Sequence, residues 1–462
     1  MKRIYSDRNK KVMAPVIIIM LMSPIPIFCL TTDYAQNQYN VKAQISGSLP
    51  IYMSPLDENI FGLIHSNIPN VILTNSFTAP NVTVMLLGYN YLTETSSTGL
   101  LNMFSTKIHD GYGFSVIIYE SYNQRHKFFD AWFKALQLNK LRMPVVFAYT
   151  FNENKSNLQL DPFIYSAPAV AISFAPFGMY VIPNGTNIYR GIISAVNKFS
   201  NEATVNGGLI SDYINQKQSP ISPMVINENT FTNYLGYLGW YSNNAYSYVW
   251  PFGPTVKAAT QGAAVDYYEA QTTNAKGTWY FFLAYTRNTV YMYSYSRYSF
   301  TLNNMESITN WNTSKFPGQV LYDWGPINSG STSDVSFTLS VGIGIEGISV
   351  SVSVSYSEPN GIPITWQDKT NPSSGYVNTA EQLGSIADPA KDYVTYEVSP
   401  SSIGLLDPTK SGGYPPLLGT QIFEVNGGNI NAFISGWSSQ ISWNFALWPS
   451  SVNLNGGPWN SS

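Results

Sequence analysis

Residues 335–356, VSFTLSVGIGIEGISVSVSVSY, contain the strongest structural pattern in the chain. Apolar side chains occupy the odd positions up to residue 345 and the even positions from residue 348 onward. Because successive side chains of a strand point to opposite faces, such a change of parity requires a turn or a bulge. A bulge would leave one strand of about 22 residues, far longer than the usual 3–10. The pattern therefore predicts an antiparallel hairpin that turns at Glu346-Gly347.

The two-residue turn also predicts a register for this hairpin. Val341 would face Val352 and Leu339 would face Val354, so that all apolar side chains lie on one face of the ribbon. The opposite face carries small uncharged residues, which are Gly342, Gly344, Ser349, Ser351, Ser353 and Ser355. We expect the apolar face to belong to the core, and the other face either to contact water or to pack against a second surface.

The C-terminal half, residues 230–462, contains further strand patterns and little helical periodicity. Segments 394–398, 421–425 and 440–447 are rich in β-branched and aromatic residues, and loops rich in Pro, Gly, Asn and Ser separate them. Many short strands of this kind predict an all-β, sandwich-like domain.

Two additional strands are predicted at residues 279–286 and 290–298, joined at Arg287-Asn288. In the second strand, Tyr291, Tyr293 and Tyr295 alternate with Met292, Ser294 and Ser296. This stripe is interpreted as the core face of the strand, and a carbohydrate-binding surface is the alternative.

The N-terminal half, residues 48–226, alternates short apolar runs with helix-like segments. Strands are predicted at 82–87, 114–119, 145–149 and 169–174, and the best helix spans residues 124–138. Strand, helix and strand in succession predict parallel strands with right-handed crossover helices. The sequence thus predicts an α/β half followed by the all-β half.

Residues 1–35 have the organisation of a secretory signal or an N-terminal anchor. Five basic residues precede the apolar stretch 12–30, which is broken at Pro24 and Pro26. Cleaved export is favoured over anchorage, and both place the remaining chain outside the cell. Cys29 is the only cysteine and lies in this leader, so the mature chain has no disulfide and no thiol ligand or nucleophile.

The charge of the chain limits its partners. Only 11% of the residues are charged, about half the usual share. Loss of residues 1–30 removes five basic residues and one acidic residue, which changes the net charge from −3 to −7. This argues against nucleic acid as a partner, since no basic surface remains. Carbohydrate or cell-envelope components are the candidate partners, and a membrane would be contacted only through the leader.

The abundance of Tyr, Asn, Ser and Thr, the scarcity of charge and the export leader resemble secreted or surface proteins of thermoacidophilic archaea or their viruses. The resemblance extends over the whole chain as composition and implies an extracellular or cell-surface location. It implies no particular fold or activity.

Few residues point to catalysis. Gly-rich phosphate loops, the Gly-x-Ser-x-Gly elbow and the His-Glu-x-x-His motif are absent from the sequence, which predicts no metal site and no cofactor. Glu120 and Glu228 each follow an apolar run, and in a (β/α) barrel they could form the paired carboxylates of a glycoside hydrolase. Tyr89, Tyr91 and Tyr122 would then offer carbohydrate-binding rings near them. The alternative is that both glutamates are ordinary strand-end residues.

The sequence therefore favours a secreted or envelope-associated, non-catalytic binding or structural protein, with a secreted glycoside hydrolase as the alternative. In either case, the export leader makes each Asn-x-Ser/Thr sequon a candidate glycosylation site. The five acceptors are Asn81, Asn154, Asn184, Asn312 and Asn460.

Overall fold

The computed structural model describes residues 49–53, 58–67, 71–74, 84–109, 115–119, 125–138, 146–152, 157–160, 167–174, 177–182, 188–205, 231, 233–248, 255–293, 300–327, 329–332, 334–342, 349–357, 364–383, 395–410, 416–429 and 436–449. The strands are β1 (Leu49–Met53), β2 (Val71–Thr74), β3 (Val84–Leu87), β4 (Ser115–Tyr119), β5 (Val146–Asn152), β6 (Asn157–Leu160), β7 (Ala169–Phe174), β8 (Phe177–Ile182), β9 (Asn233–Tyr248), β10 (Thr255–Asn274), β11 (Gly277–Met292), β12 (Phe300–Asn310), β13 (Gln319–Gly325), β14 (Gly330–Thr332), β15 (Asp334–Gly342), β16 (Ser349–Ser357), β17 (Ile364–Asp368), β18 (Tyr376–Leu383), β19 (Thr395–Val398), β20 (Ser401–Leu406), β21 (Leu417–Asn429) and β22 (Trp437–Leu447). The helices are α1 (Glu58–Asn67), α2 (Tyr89–Glu94), α3 (Ser97–His109), α4 (Arg125–Leu138) and α5 (Ile188–Val205).

The described strands form two large sheets and one separate hairpin. The larger sheet has twelve strands in the order β13-β20-β11-β10-β9-β8-β7-β4-β3-β1-β2, with β19 also paired to β11. The smaller sheet has eight strands in the order β14-β17-β18-β12-β21-β22-β5-β6. Strands β15 and β16 make up the separate hairpin. The described part of the chain is thus mostly β, with few helices.

The prediction of an α/β half with parallel strands and crossover helices is wrong. β1 pairs in parallel with β2 and β3, and β3 pairs in parallel with β4. On its other side, however, β4 pairs antiparallel with β7, and β7 pairs antiparallel with β8. Strand β8 then pairs with β9, so one large mixed sheet contains strands from both halves of the sequence. The predicted boundary between residues 226 and 230 lies outside the described residues.

Helix α4 has the predicted apolar spacing, but the strand after it does not return to the same sheet. Phe128 is buried and meets Phe104 and Phe129 edge-on. Strand β5 pairs antiparallel with β22 of the smaller sheet, where Ala148 faces Phe445. Helical periodicity specifies which face of α4 is buried and leaves open which sheet the next strand joins.

The central strands of the two large sheets pack against each other through a continuous apolar core. This core joins Val265, Tyr267 and Phe282 of the larger sheet to Phe423 and Phe445 of the smaller sheet. The ring centroids of Tyr267 and Phe445 are 5.1 Å apart. Burial strongly raises the pKa of the Tyr267 hydroxyl, so this side chain stays neutral in the core.

Gln319 links the two sheets through hydrogen bonds. It begins β13, and its buried amide donates to the Leu418 carbonyl at 2.8 Å and accepts from the Leu418 N–H at 2.7 Å. The same amide nitrogen donates to the Trp311 carbonyl. Gln319 therefore makes the backbone hydrogen bonds that a neighbouring strand would offer to β21, although no ladder joins the two sheets among the described strands.

We expect Gln319→Met to lower the free energy of unfolding by about 2–4 kcal/mol. The substitution keeps the volume of the side chain but leaves buried backbone groups of Leu418 and Trp311 without their partner. Denaturant unfolding measures the change, and Gln367→Met, on an exposed position of β17, is the matched control with an expected change within about 0.5 kcal/mol. Equal stability of the two variants would show that Gln319 does not join the sheets.

Candidate functional site

Strands β15 and β16 form the predicted hairpin, but the predicted register is wrong by two residues. Val341 faces Val350 rather than Val352, and Leu339 faces Val352 rather than Val354. A shift by two keeps each side chain on its predicted face, so the apolar pattern does not distinguish the two registers. The predicted turn residues, Glu346-Gly347, lie outside the described residues.

The two faces of the hairpin have opposite surroundings. Val335, Leu339 and Val354 are at most 1% exposed. On the other face of β15, Ser336, Thr338 and Ser340 are exposed. Of the two alternatives for the small polar face, contact with water is the one found at these positions. The hairpin is thus an amphipathic ribbon that covers the body of the protein with its apolar face.

The surface beneath the ribbon is an apolar patch on the larger sheet, here called the hairpin seat. It consists of alternate residues of two neighbouring strands, Phe281, Leu283 and Tyr285 of β11 with Ile403 and Leu405 of β20. Leu283 faces Ile403 across the ladder, and Phe281 faces Leu405. Leu339 and Val354 of the hairpin belong to the same buried cluster. The seat would be a large exposed apolar patch without the ribbon.

Close contacts with β13 hold the hairpin on its seat. A Cβ atom added to Gly325 would overlap a ring carbon of Phe337, so the ring occupies the space that only a glycine leaves. The Ser340 N–H donates to Asp323 Oδ2 at 2.6 Å. Asp323 Oδ1 accepts from the Trp324 N–H. A shift in the β13–β20 register between Leu321 and Asp323 marks a bulge next to this carboxylate.

The outer edges of β15 and β16 pair with no other described strand. Such edges carry backbone donors and acceptors that another strand can use. The Ser340 N–H is a donor of this kind, and Asp323 occupies it. Asp323 therefore occupies one backbone donor on an edge to which a further strand could bind.

An ion pair lies next to the seat. Arg287 Nη2 and Asp266 Oδ2 are 2.6 Å apart, and the Tyr234 hydroxyl donates to Asp266 Oδ1 at 2.9 Å. Tyr268, which is part of the seat cluster, has a pKa well above its ordinary value because of burial and the nearby Asp266 charge. Tyr268 therefore stays neutral and the Asp266 carboxylate is paired with Arg287, so neither places an unpaired charge beside the seat.

The residues proposed for carbohydrate chemistry are not brought together by the described part of the structure. Glu120, Glu228 and Tyr122 lie outside the described residues, and Tyr89 begins α2. Tyr91 is half-buried, and its hydroxyl lies 3.5 Å from the Met103 sulfur. These assignments therefore stay predictions.

Among the sequon asparagines, Asn312 is described and the other four are not. It lies in the turn after β12 with a φ of 50° and is partly exposed. Its glycosylation stays a prediction.

The described residues lack both a candidate metal cluster and a membrane-spanning helix. They contain no group of three His, Cys, Asp or Glu side chains that could hold a metal ion. None of their helices combines the length and the apolar character needed to cross a bilayer.

No protein-family model and no curated protein matches the chain. Among solved structures, it is similar to a protein described as a pore forming protein, with 9% identity and a TM-score of 0.28 over 44% of this chain and 90% of that one. It is also similar to Clostridium perfringens delta-toxin, with 11% identity and a TM-score of 0.24 over 40% and 92% of the two chains. A third similarity is to the Clostridium perfringens NetB toxin in its membrane-inserted form, with 5% identity and a TM-score of 0.23 over 44% and 97%. Similarities at these scores do not establish a shared fold.

Sequence reasoning found the hairpin and missed the residues that hold it. Asp323 and Gly325 lie in a short strand with no motif around them, and their role depends on a bulge and on a partner more than ten residues away. The apolar alternation of the hairpin was a signal for a buried face, and it carries no information on which surface buries it.

We expect Asp323→Ala to loosen the hairpin without unfolding the body. The variant loses a charge-assisted hydrogen bond, which contributes about 1.5–3 kcal/mol and therefore protects local amides about tenfold or more. Hydrogen–deuterium exchange of peptides spanning residues 335–357 measures this protection. Asp323→Asn retains an acceptor oxygen and should show a smaller increase. Unchanged exchange in Asp323→Ala would mean that the carboxylate does not hold the hairpin.

Proposed function

We propose that this chain is an exported, non-catalytic protein that acts by inserting its β15–β16 hairpin into a lipid bilayer. The observation that carries the proposal is the ribbon itself. It is amphipathic along its described length and docked by side chains rather than by a ladder. Its second face carries small uncharged residues, which suit the aqueous interior of an assembled pore as well as the surface of the docked protein.

The length of the ribbon fits a bilayer. A spanning β-strand needs about 9–11 tilted residues. β15 and β16 have nine residues each, and the sequence continues the apolar alternation through Ile343 and Ile345 on one side and Ile348 on the other. Residues 335–356 contain no Lys or Arg, each of which would cost about 2–4 kcal/mol on a lipid-facing strand at mid-bilayer. Glu346 is the one charged residue of this segment, and it lies at the predicted turn.

One hairpin does not satisfy its own edges in lipid. Unpaired backbone groups in the hydrocarbon region cost several kcal/mol each, so spanning strands must form a closed ring of hydrogen bonds. Hairpins from several copies of this chain would supply such a ring through the outer edges of β15 and β16. In that arrangement the apolar face contacts lipid, and the Ser, Thr and Gly face lines an aqueous interior.

The energetics favour a docked hairpin in water and release at a membrane. Exposing the three buried side chains Val335, Leu339 and Val354 to water would cost about 5–9 kcal/mol. Leu339 and Val354, which pack on the seat, and Val335, which packs in a neighbouring core cluster, lose nothing comparable when they pass into lipid tails. The docking contacts at Asp323 and Gly325 then add a barrier that keeps the hairpin in place before the membrane is reached.

The N-terminal leader supports the extracellular location that membrane insertion from the aqueous side requires. Its basic start and interrupted apolar stretch are typical of export. A mature chain outside the cell would reach a target membrane from the aqueous side, with a surface poor in charge.

A disulfide between the hairpin and β13 tests the proposal. The ideal Cβ position of Gly325 is 2.8 Å from Phe337 Cγ, which places the two Cβ atoms within about 4.3 Å, inside the disulfide range. With Cys29 replaced by Ser, we expect oxidised Gly325→Cys/Phe337→Cys to release no dye from phosphatidylcholine–phosphatidylserine vesicles. Reduction should restore release to the level of the single variants.

The single variants control for the loss of the Phe337 ring and for the new Cβ at Gly325. Equal release by the oxidised and reduced forms would contradict insertion of this hairpin. Absence of release by the reduced form and by the unmodified chain would contradict it as well.

A further inference from the structure

Four tyrosines stand on the outer face of the larger sheet, beyond the hairpin seat. They are Tyr246 and Tyr248 of β9, Tyr291 of β11 and Tyr293 just after it, and with Lys257 of β10 they are called here the tyrosine platform. Tyr246 and Tyr248 are 50% and 43% exposed, and the other members are half-buried. The prediction that Tyr291, Tyr293 and Tyr295 form the core face is wrong for the first two, because Val290 and Met292 on the opposite face are the buried residues, and Tyr295 lies outside the described residues.

This end of β9 also has small residues on its buried face and aromatic residues on its outer face. Ala245 and Ser247 are buried, whereas the larger side chains that alternate with them, Tyr246 and Tyr248, are exposed. A sheet that only needed solubility would place small polar residues outside. Exposed aromatic residues in neighbouring strands point to a binding surface.

Cross-strand pairing gathers the platform into one surface. Tyr246 faces Lys257, and Tyr248 faces Thr255. Thr260 faces Asn244 on one side and Tyr291 on the other, so these residues share a face. Register shifts at Lys257/Ala259 and Gln261/Ala263 mark bulges on either side of Thr260, and bulges often orient side chains at functional sites.

Short-range contacts fix the orientation of the rings. Tyr291 and Tyr293 pack edge-on with centroids 5.1 Å apart. Lys257 Nζ lies 4.6 Å from the centroid of Tyr293, and the Thr260 hydroxyl lies 3.3 Å from the hydroxyl of Tyr293. Asn244 Nδ2 lies 3.4 Å from the Tyr246 hydroxyl. These contacts reduce the entropy lost on binding a ligand.

We infer that the tyrosine platform binds a carbohydrate chain that carries an acidic sugar, such as a sialic or uronic acid. Tyrosine offers a flat apolar ring for the C–H face of a pyranose and a hydroxyl for its polar edge, at low entropy cost. The amide of Asn244 and the hydroxyl of Thr260 add donors and acceptors at the same surface.

The charge of the platform selects the acidic class of sugar. Lys257 is the one charged side chain among the residues just named, in a chain whose net charge is −3. A carboxylate on the ligand complements this ammonium, which is half-buried and held over a ring. Binding to an anionic lipid surface instead favours clusters of about 4–8 basic residues, which this surface lacks among its described members.

The inference does not rest on insertion of the hairpin. Tyr291 follows Tyr285 of the seat by six residues on the same face of β11, which places the platform about 20 Å along the strand. Glycan binding therefore needs no movement of β15 or β16. The oxidised Gly325→Cys/Phe337→Cys variant should bind the glycan as the reduced form does, which separates the two proposals.

The test uses immobilised oligosaccharides that end in sialic acid or contain glucuronic acid, each beside its carboxyl-reduced counterpart. We expect the full chain to bind at least one acidic oligosaccharide, and Tyr246→Ala/Tyr248→Ala to weaken binding tenfold or more. Lys257→Met should abolish the preference for the acidic form over the reduced one. Lys276→Met, an exposed lysine in the turn at the other end of β10, is the matched control and should change the Kd less than twofold.

Several results would overturn the inference. One is that no acidic oligosaccharide binds, and another is that the tyrosine variants bind as the unmodified chain does. A third is binding to sugar-free phosphatidylcholine–phosphatidylserine vesicles that the tyrosine variants alone lose, which would assign the platform to lipid. Circular dichroism melting verifies that the variants fold, and Tyr248→Ala alone replaces the double variant if that one does not.

Discussion

A ribbon of two strands with one wholly apolar face is not stable alone in water, and it must bury that face against something else. In this protein the burial is reciprocal, because the seat formed by Phe281, Leu283 and Ile403 is equally unsuited to water. Among the described strands no ladder joins the hairpin to the sheet, and side-chain packing and the Asp323–Ser340 hydrogen bond contribute to the attachment. The proposed release of the hairpin would therefore break side-chain packing and this hydrogen bond rather than a ladder between described strands.

Side chains of the long strands alternate between the two faces of the larger sheet, and this alternation also determines the surfaces outside the core. Along β11 the even face is buried, with Phe282, Val290 and Met292 in the core. The odd face serves first as the hairpin seat and then, about six residues later, as part of the tyrosine platform. One strand thus contributes to the core on one side and to two distinct surfaces on the other.

Local patterns in the sequence predicted elements well and their arrangement poorly. β7 has the predicted bounds, residues 169–174, and α4 differs by one residue. β5 was predicted to be parallel to β4 in one sheet because a helix separates the two strands, and it joins the other sheet. The hairpin register differs by two because a shift of two leaves every face unchanged. The tyrosine stripe was assigned to the core because its alternation was visible, but alternation does not tell which face a second sheet covers.

Contact of the hairpin with lipid is the central claim, and nitroxide quenching measures it directly. Single cysteines at positions 349 to 354, in a chain with Cys29 replaced by Ser, would carry a fluorophore, and vesicles of phosphatidylcholine and phosphatidylserine would carry a nitroxide-labelled lipid. We expect quenching at the positions of Val350, Val352 and Val354 and little at those of Ser349, Ser351 and Ser353, because only one face of β16 meets lipid. Equal quenching at all six positions, or at none, would contradict insertion of the hairpin as a spanning β-ribbon.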